Sequence, residues 1–236
     1  MKKIIAIFLV LLVGCFKPTT DEVLSRIGER IKNIESFKAK MVTSMEMLGQ
    51  MVDIEADVWF KIPYKMRTEA NMSTLPGKQI MTFDGKIIWM YYEGLKQATK
   101  IDVTGLDEQI KDKLIGQSNQ IIDPFKNFDK KVIKYIKNEK VDGEETYLLD
   151  VSIQEMMPGS PIKLSKISFW ISANDGLVRK MVFYGEKDSI AMSIICKNVE
   201  INPWIDDGLF SFVPSPSTKV MDMSQMMDQM MQSLPR

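Results

Sequence analysis

The chain has 236 residues, 45% of them hydrophobic and 26% charged, with Lys+Arg and Asp+Glu equal at 31 each and no histidine. The missing imidazole excludes Ser-His-Asp and Cys-His nucleophile pairs and any His-ligated metal. The zero net charge argues against a nucleic-acid surface, which needs a cationic excess to displace counterions. The 19 methionines stand out, because unbranched thioether side chains suit adaptable apolar surfaces.

Met1-Lys2-Lys3 is a short cationic segment, and Ile4 to Val13 is an unbroken apolar run. That run is well short of the roughly 20 residues that a permanent membrane helix needs, and it reads as a secretory signal. Its ending, Leu12-Val13-Gly14-Cys15, resembles a bacterial lipobox. Residues 1–14 are then a removable signal peptide and Cys15 is the lipid-modified first residue of the mature chain. An ordinary signal peptide cut at a small residue is the alternative, and it leaves Cys15 without a role. Losing Lys2 and Lys3 leaves 29 basic and 31 acidic residues, a formal charge of −2. The only other cysteine is Cys196, so acylation of Cys15 leaves no pair for an internal disulfide. These features predict a cell-envelope protein, exported and lipid-anchored on the periplasmic side of the inner or outer membrane. Acyl chains such as palmitate would hold it at the surface without spanning.

Residues 15–21 read as anchor and short linker, 22–220 as one domain, and 221–236 as a methionine-rich amphipathic tail. Thr20-Asp21-Glu22 starts a helix whose apolar stripe is Val23, Leu24, Ile27, Ile31 and Ile34. After Ser36 the period falls to two through Phe37 to Met47, Ile54 to Ile62 and Tyr64 to Met72, each with one apolar and one polar face. Asp84-Gly85 marks a two-residue hairpin between Gln79–Phe83 and Lys86–Tyr92, and Asp142-Gly143 and Asn174-Asp175-Gly176 repeat that punctuation. Leu106, Ile110, Leu114, Ile121, Ile122 and Phe125 suggest a helical excursion. Strand patterns resume at Val132–Ile136, Thr146–Ile153, Ile162–Ile171, Leu177–Tyr184 and Ile190–Val199. The fold class is therefore α+β: about eleven strands in a strongly curved antiparallel sheet, with two or three helices covering its concave face.

The apolar side of that sheet carries Ala39, Met41, Met45, Ala56, Val58, Phe60, Met66, Met81 and Met90. Two readings stand: a core filled completely by helices, or a lining left partly open as a hydrophobic cavity for acyl chains. In the tail, Met223, Met226, Met227, Met230, Met231 and Leu234 fall on one helical face. That face suits a docked helix, a flap over the cavity, or weakly a soft-metal site, though without histidine no metal or other cofactor is expected. Glu144-Glu145, Asp206-Asp207 and Asp107-Glu108 read as solvated charge, with no spacing that defines a catalytic pair. Trp59, Trp89 and Trp170 sit in strand patterns and read as packing against a helix.

Several segments, taken in order, resemble the LolA/LolB-like family of lipoprotein carriers, receptors and related lipid-binding lipoproteins. They are Ser25-Arg26-Ile27 through Ile34-Glu35-Ser36-Phe37, then Asp57-Val58-Trp59-Phe60-Lys61-Ile62-Pro63. Next come Asp84-Gly85-Lys86-Ile87-Ile88-Trp89-Met90-Tyr91 with Lys96-Gln97-Ala98-Thr99, and finally Leu209-Phe210-Ser211-Phe212-Val213-Pro214. The resemblance implies a half-barrel with a helical lid and a cavity for lipid or lipoprotein acyl chains, in a monomer that is not an enzyme. In the family's soluble carriers an arginine precedes the proline of the second motif and helps latch the lid. Here that position is Ile62, so Arg67, with Met226, Met227 and Met230, becomes the lid candidate. The alternative function is a non-catalytic module on the same fold that binds an envelope protein partner or senses envelope stress.

Overall fold

In the computed structural model, residues 17–47, 50–71, 76–106, 122–126, 128–153 and 164–225 are described. Helix α1 (Thr20–Ile31) begins with a capping box: Glu22 N–H donates to the Thr19 hydroxyl at 3.3 Å, and Thr19 N–H donates to the Glu22 carboxylate at 2.8 Å. The same bonds hold the Glu22 carboxyl below its ordinary value. The cap lies one residue ahead of the start read from sequence, and the helix ends at Ile31 while Ile34 stays buried just beyond it.

Twelve strands form one sheet: β1 (Ser36–Met47), β2 (Gln50–Lys61), β3 (Lys65–Asn71), β4 (Lys78–Phe83), β5 (Ile87–Tyr92), β6 (Gln97–Asp102), β7 (Ile133–Val141), β8 (Glu144–Ser152), β9 (Lys166–Ser172), β10 (Val178–Tyr184), β11 (Ile190–Ile201) and β12 (Lys219–Asp222). Their order is β12-β6-β5-β4-β3-β2-β1-β11-β10-β9-β8-β7, so β7 and β12 are the two edges and the sheet is not closed. All pairs are antiparallel except β12 on β6. β6 and β12 are the two strands that periodicity does not reveal. β12 is four residues long and exposed throughout, so its pairing with β6 and the Lys100–Asp222 bridge at 3.3 Å place it, and residue 220, read as the last of the domain, lies inside it.

Asp142 (φ 49) and Gly143 (φ 84) make a two-residue turn between Val141 and Glu144, as the sequence predicts. The Asp84-Gly85 turn is wider. Phe83 pairs with Ile88, and the Asp84 carboxylate accepts from Lys86 N–H and Ile87 N–H, both at 2.8 Å, which uses two further residues.

Alternation along each strand gives the sheet two faces. On the inner face, Val23 and Ile27 of α1 pack into one cluster with Tyr135, Leu149, Val151, Phe169, Ile171 and Met181 from β7 to β10. Phe125 and Phe128 close over Phe169, with ring centroids 5.2 and 6.4 Å away. Ile31 and Ile34 reach a second cluster built on Phe37, Phe60, Met66, Phe83 and Ile101, in which Phe37 stacks on Phe60 at 5.5 Å. One helix thus spans both halves of the sheet, which must curve around it.

Gly176 (φ +82) lets the β9–β10 turn meet α1. A Cβ there would lie 2.9 Å from Ile31 Cγ2 and 3.0 Å from the Ile27 carbonyl oxygen. Arg30 fixes the same contact by donating to the Asn174 carbonyl at 2.6 Å. Nearby, Arg179 is buried and bonds both oxygens of Glu144, at 2.6 and 3.1 Å, and the Asp175 carboxylate. Glu144 is therefore not the solvated charge that its sequence context suggests. Burial works to raise its carboxyl, but the bonds from Arg179 and Ser172 prevail and hold it below the usual range.

The outer face carries a second layer. After β11 the chain crosses β2 to β6 as a strap before entering β12. Ile205 and Phe210 are buried, Phe212 lies 5.5 Å from the Trp89 ring and 4.9 Å from Tyr91, and Arg67 donates to the Leu209 carbonyl at 3.0 Å. Asp207 pairs with Lys61 at 2.7 Å and Lys65 at 2.6 Å. Register turns Trp59, Trp89 and Trp170 away from α1, so among the described residues they do not pack on that helix. Trp89 sits beside Phe212 of the strap, and Trp170 joins Leu148 and Val182 in a small outer cluster with Lys180 over its ring.

Two outcomes are expected. Gly176→Ala destabilises the fold by about 1–3 kcal/mol, read by urea unfolding, because a left-handed backbone and a crowded helix both oppose the added methyl. The Lys61 and Lys65 ammonium groups hold the Asp207 carboxyl down at about 2. Its contribution is complete above the unfolded carboxylate value and is lost as pH falls through about 2. An NMR titration of Asp207 has its midpoint there in the native chain, and the midpoint moves up toward the ordinary value in Lys61→Ala/Lys65→Ala.

Candidate ligand-binding face

Register defines the site. Phe37, Ala39, Met41, Thr43 and Met45 of β1 face Phe60, Val58, Ala56, Ile54 and Val52 of β2. Met66, Thr68 and Ala70 of β3 continue these rows. Phe83, Met81 and Gln79 of β4 follow, then Ile88, Met90 and Tyr92 of β5, then Ile101, Thr99 and Gln97 of β6. No position in these rows carries a charge. Every Lys, Arg, Asp and Glu of β1 to β6 falls in the opposite set, where Lys40 pairs with Asp57, and Glu69 takes both Arg67 and Lys78.

Burial falls off along this apolar surface. Ala39, Val58, Phe60 and Met66 are 8, 2, 1 and 6% exposed and belong to the packed second cluster or border it. Met81 and Met90 lean on that cluster and are half-buried. Met41, Met45 and Ala56, with Val52, Ile54 and Ala70 beside them, are half-buried and belong to none of the core clusters. All nine residues singled out from sequence thus lie on one face, as a closed floor and an incompletely covered extension. Met192 and Ile194 prolong the extension from β11, being opposite Met45 and Thr43. Periodicity sets these two in a strand without assigning them to the lining.

Arg67 lies on the other face. Its bonds go to Glu69 and the Leu209 carbonyl, so it fastens the outer strap. Ile62 is partly exposed, at 39%. Cys15, Met226, Met227 and Met230 lie outside the described residues, as does most of the helical excursion after Leu106 and the Asp107-Glu108 pair.

A cleft of about 310 Å³ is lined by Val141, Asp142, Glu144, Arg179 and Lys197, with Cys196, which is opposite Met41, and Val199 at its apolar side; its guanidinium is already matched by two carboxylates. Burial pushes the Cys196 thiol up to about 11, which keeps it unreactive near neutrality. Among the described residues no group of His, Cys, Asp or Glu could hold a metal ion, and no helix is long and apolar enough to cross a membrane.

An open twelve-stranded, almost wholly antiparallel sheet, curved around one helix and charge-free on half of its inner face, is a half-barrel of the α+β class. The chain belongs to the family described as predicted periplasmic protein (DUF2092), whose model matches residues 20–223, from the first residue of α1 to just past β12. The uncharacterized protein MJ0687 of Methanocaldococcus jannaschii is 22% identical over 95% of this chain, which spans only 62% of that relative's length. An uncharacterized conserved protein from Thermus thermophilus shares the fold with a TM-score of 0.57 at 11% identity, covering 86% of this chain and 98% of that one. LolA superfamily protein NE2245 from Nitrosomonas europaea is among the similar structures, at TM-score 0.38 and 12% identity, covering 83% of this chain and 99% of that one.

Truncations separate floor from extension. Met66→Ala costs about 2–5 kcal/mol in urea unfolding because it opens a void in a packed cluster. Met41→Ala, where the side chain is already half in solvent, costs less than about 1.5 kcal/mol.

Proposed function

We propose that this chain is a non-catalytic envelope lipoprotein, exported on its signal peptide and anchored through Cys15, that shelters acyl chains of a lipid or lipoprotein on its inner face. The observation that carries this reading is the charge-free extension around Met41, Met45 and Ala56. Six strands keep every charged residue off that face, yet part of it is left half-buried. A sheet evolved only to bury its own core gains nothing from leaving large apolar side chains partly in water. An acyl chain that covers them is stabilised by ~0.8 kcal/mol for each methylene withdrawn from solvent.

The methionines suit this role because they repack around chains of differing length and unsaturation. Membership of a family described as periplasmic supports the export signal read in residues 1–14. The floor around Phe37 and Phe60 supplies a rigid base, so binding needs no rearrangement of the sheet.

The protein purified from membranes is expected to carry extractable lipid detectable by mass spectrometry and, once delipidated, to take up a fluorescent fatty acid at about one per chain. Ala56→Lys, which sets a cation in the middle of the extension, lowers uptake by about tenfold or more, since burying an unpaired charge is costly. A lipid-free protein that ignores the probe, or a variant that binds it unchanged, contradicts the reading.

A further inference from the structure

The β7 edge concentrates cations in a chain whose charges balance overall. Lys130 and Lys131 precede the strand, and Lys134, Lys137 and Lys140 lie along it, all five exposed. At about 3.3 Å per residue the row is roughly 30 Å long. The carboxylates among them are Asp129, which caps the turn by accepting from Lys131 N–H, and Glu139, which accepts from the Trp170 indole and pairs with Lys137 at 3.5 Å. Lys140 meets Glu145 at 3.4 Å across the hairpin. Among the described residues Lys130, Lys131 and Lys134 have no carboxylate partner.

This edge is also where the described residues begin. Tyr135 in mid-strand donates its N–H to the Thr20 hydroxyl at 3.0 Å, and the Lys17 ammonium lies 5.5 Å from the centre of the Tyr135 ring. Lys17 is two residues after Cys15. A lipid on that cysteine leaves the chain a reach of only a few residues, so the strand against which residue 17 packs is the part of the protein held nearest the headgroups.

We propose that the lysine row of β7 is a membrane-docking edge that binds anionic phospholipid headgroups and sets the orientation of the sheet on the bilayer, an inference that rests on the Cys15 anchor. One acyl anchor and one basic patch are together the two signals that stable peripheral attachment requires. Docking here places β7 toward the lipid and the β1–β6 extension, across the sheet, toward the aqueous side. Five lysines on one edge also keep that unpaired strand from adding to another sheet, but a spacing device alone needs no anionic lipid.

The test uses the full lipid-modified chain reconstituted into vesicles of neutral phosphatidylcholine, with or without roughly one-third phosphatidylglycerol. Lysine reactivity toward an acetylating reagent is mapped by mass spectrometry. Lys130, Lys131 and Lys134 are expected to react about fivefold or more slowly on the anionic vesicles, while Lys38 and Lys78 on the far strands do not change. The difference should vanish in about 0.5 M NaCl, where screening shortens to a few Å. Lys130→Glu/Lys131→Glu/Lys134→Glu is expected to leave Lys137 equally reactive on both lipids. Equal rates at all lysines on floated vesicles overturn the docking edge while leaving the anchor intact. Protection by soluble polyglutamate but not by anionic vesicles overturns it in favour of an acidic protein partner. Protein that fails to float with neutral vesicles refutes the anchor itself, and the docking edge with it.

Discussion

The apolar stripe of α1 is the contact on which the rest of the architecture depends. Val23 and Ile27 enter the cluster formed by β7 to β10, and Ile31 and Ile34 enter the one formed by β1 to β6. Val23, Ile27 and Ile34 are buried and Ile31 half-buried; each fully buried aliphatic side chain contributes about 1.5–3 kcal/mol, which is a large term beside a net domain stability of roughly 5–15 kcal/mol. A helix this short cannot serve both halves of a flat sheet. Curvature follows from the contact, and with it the concavity that α1 occupies only in part.

That geometry explains why the two faces differ. Charged residues of β1 to β6 sit outside, where pairs such as Lys40 with Asp57 remain solvated and add little stability. The outer face still needs cover over Trp89 and Tyr91, and the strap after β11 supplies it through Phe212 and the Asp207 bridges. With the outside closed by the strap, the inner extension is, among the described residues, the apolar surface that the core clusters leave half-buried. In the proposed arrangement cargo faces inward, the strap holds the back, and the β7 edge carries the chain's link to the membrane.

Much of this is legible in the sequence because the signals are local. The capped helix, the alternation through β1 to β3, and the Asp142-Gly143 turn each depend on neighbours within a few residues, and the nine lining residues follow from parity alone. What escapes depends on contacts distant in sequence. Arg179 meets Glu144 across 35 residues, Arg67 meets Leu209 across 142, and β12 pairs with β6 from the far end of the chain. Parity also cannot say which face a helix will take, so it does not tell that the tryptophans point away from α1. Nor can it grade burial: Val58 and Ala56 share a strand face, yet one is closed off and the other half-open.

The central claim, that acyl chains lie on the half-covered extension and not in the packed floor, is most directly tested with methyl-labelled methionines. Isotope-filtered NOEs are measured from a bound fatty acid to each methyl group. Contacts to Met41, Met45, Met81 and Met90, with none to Met181 in the cluster beneath α1, are the predicted result. Contacts confined to Met221 or Met51 on the exposed surface, or no contacts from a bound ligand to any methionine of the extension, would contradict the account.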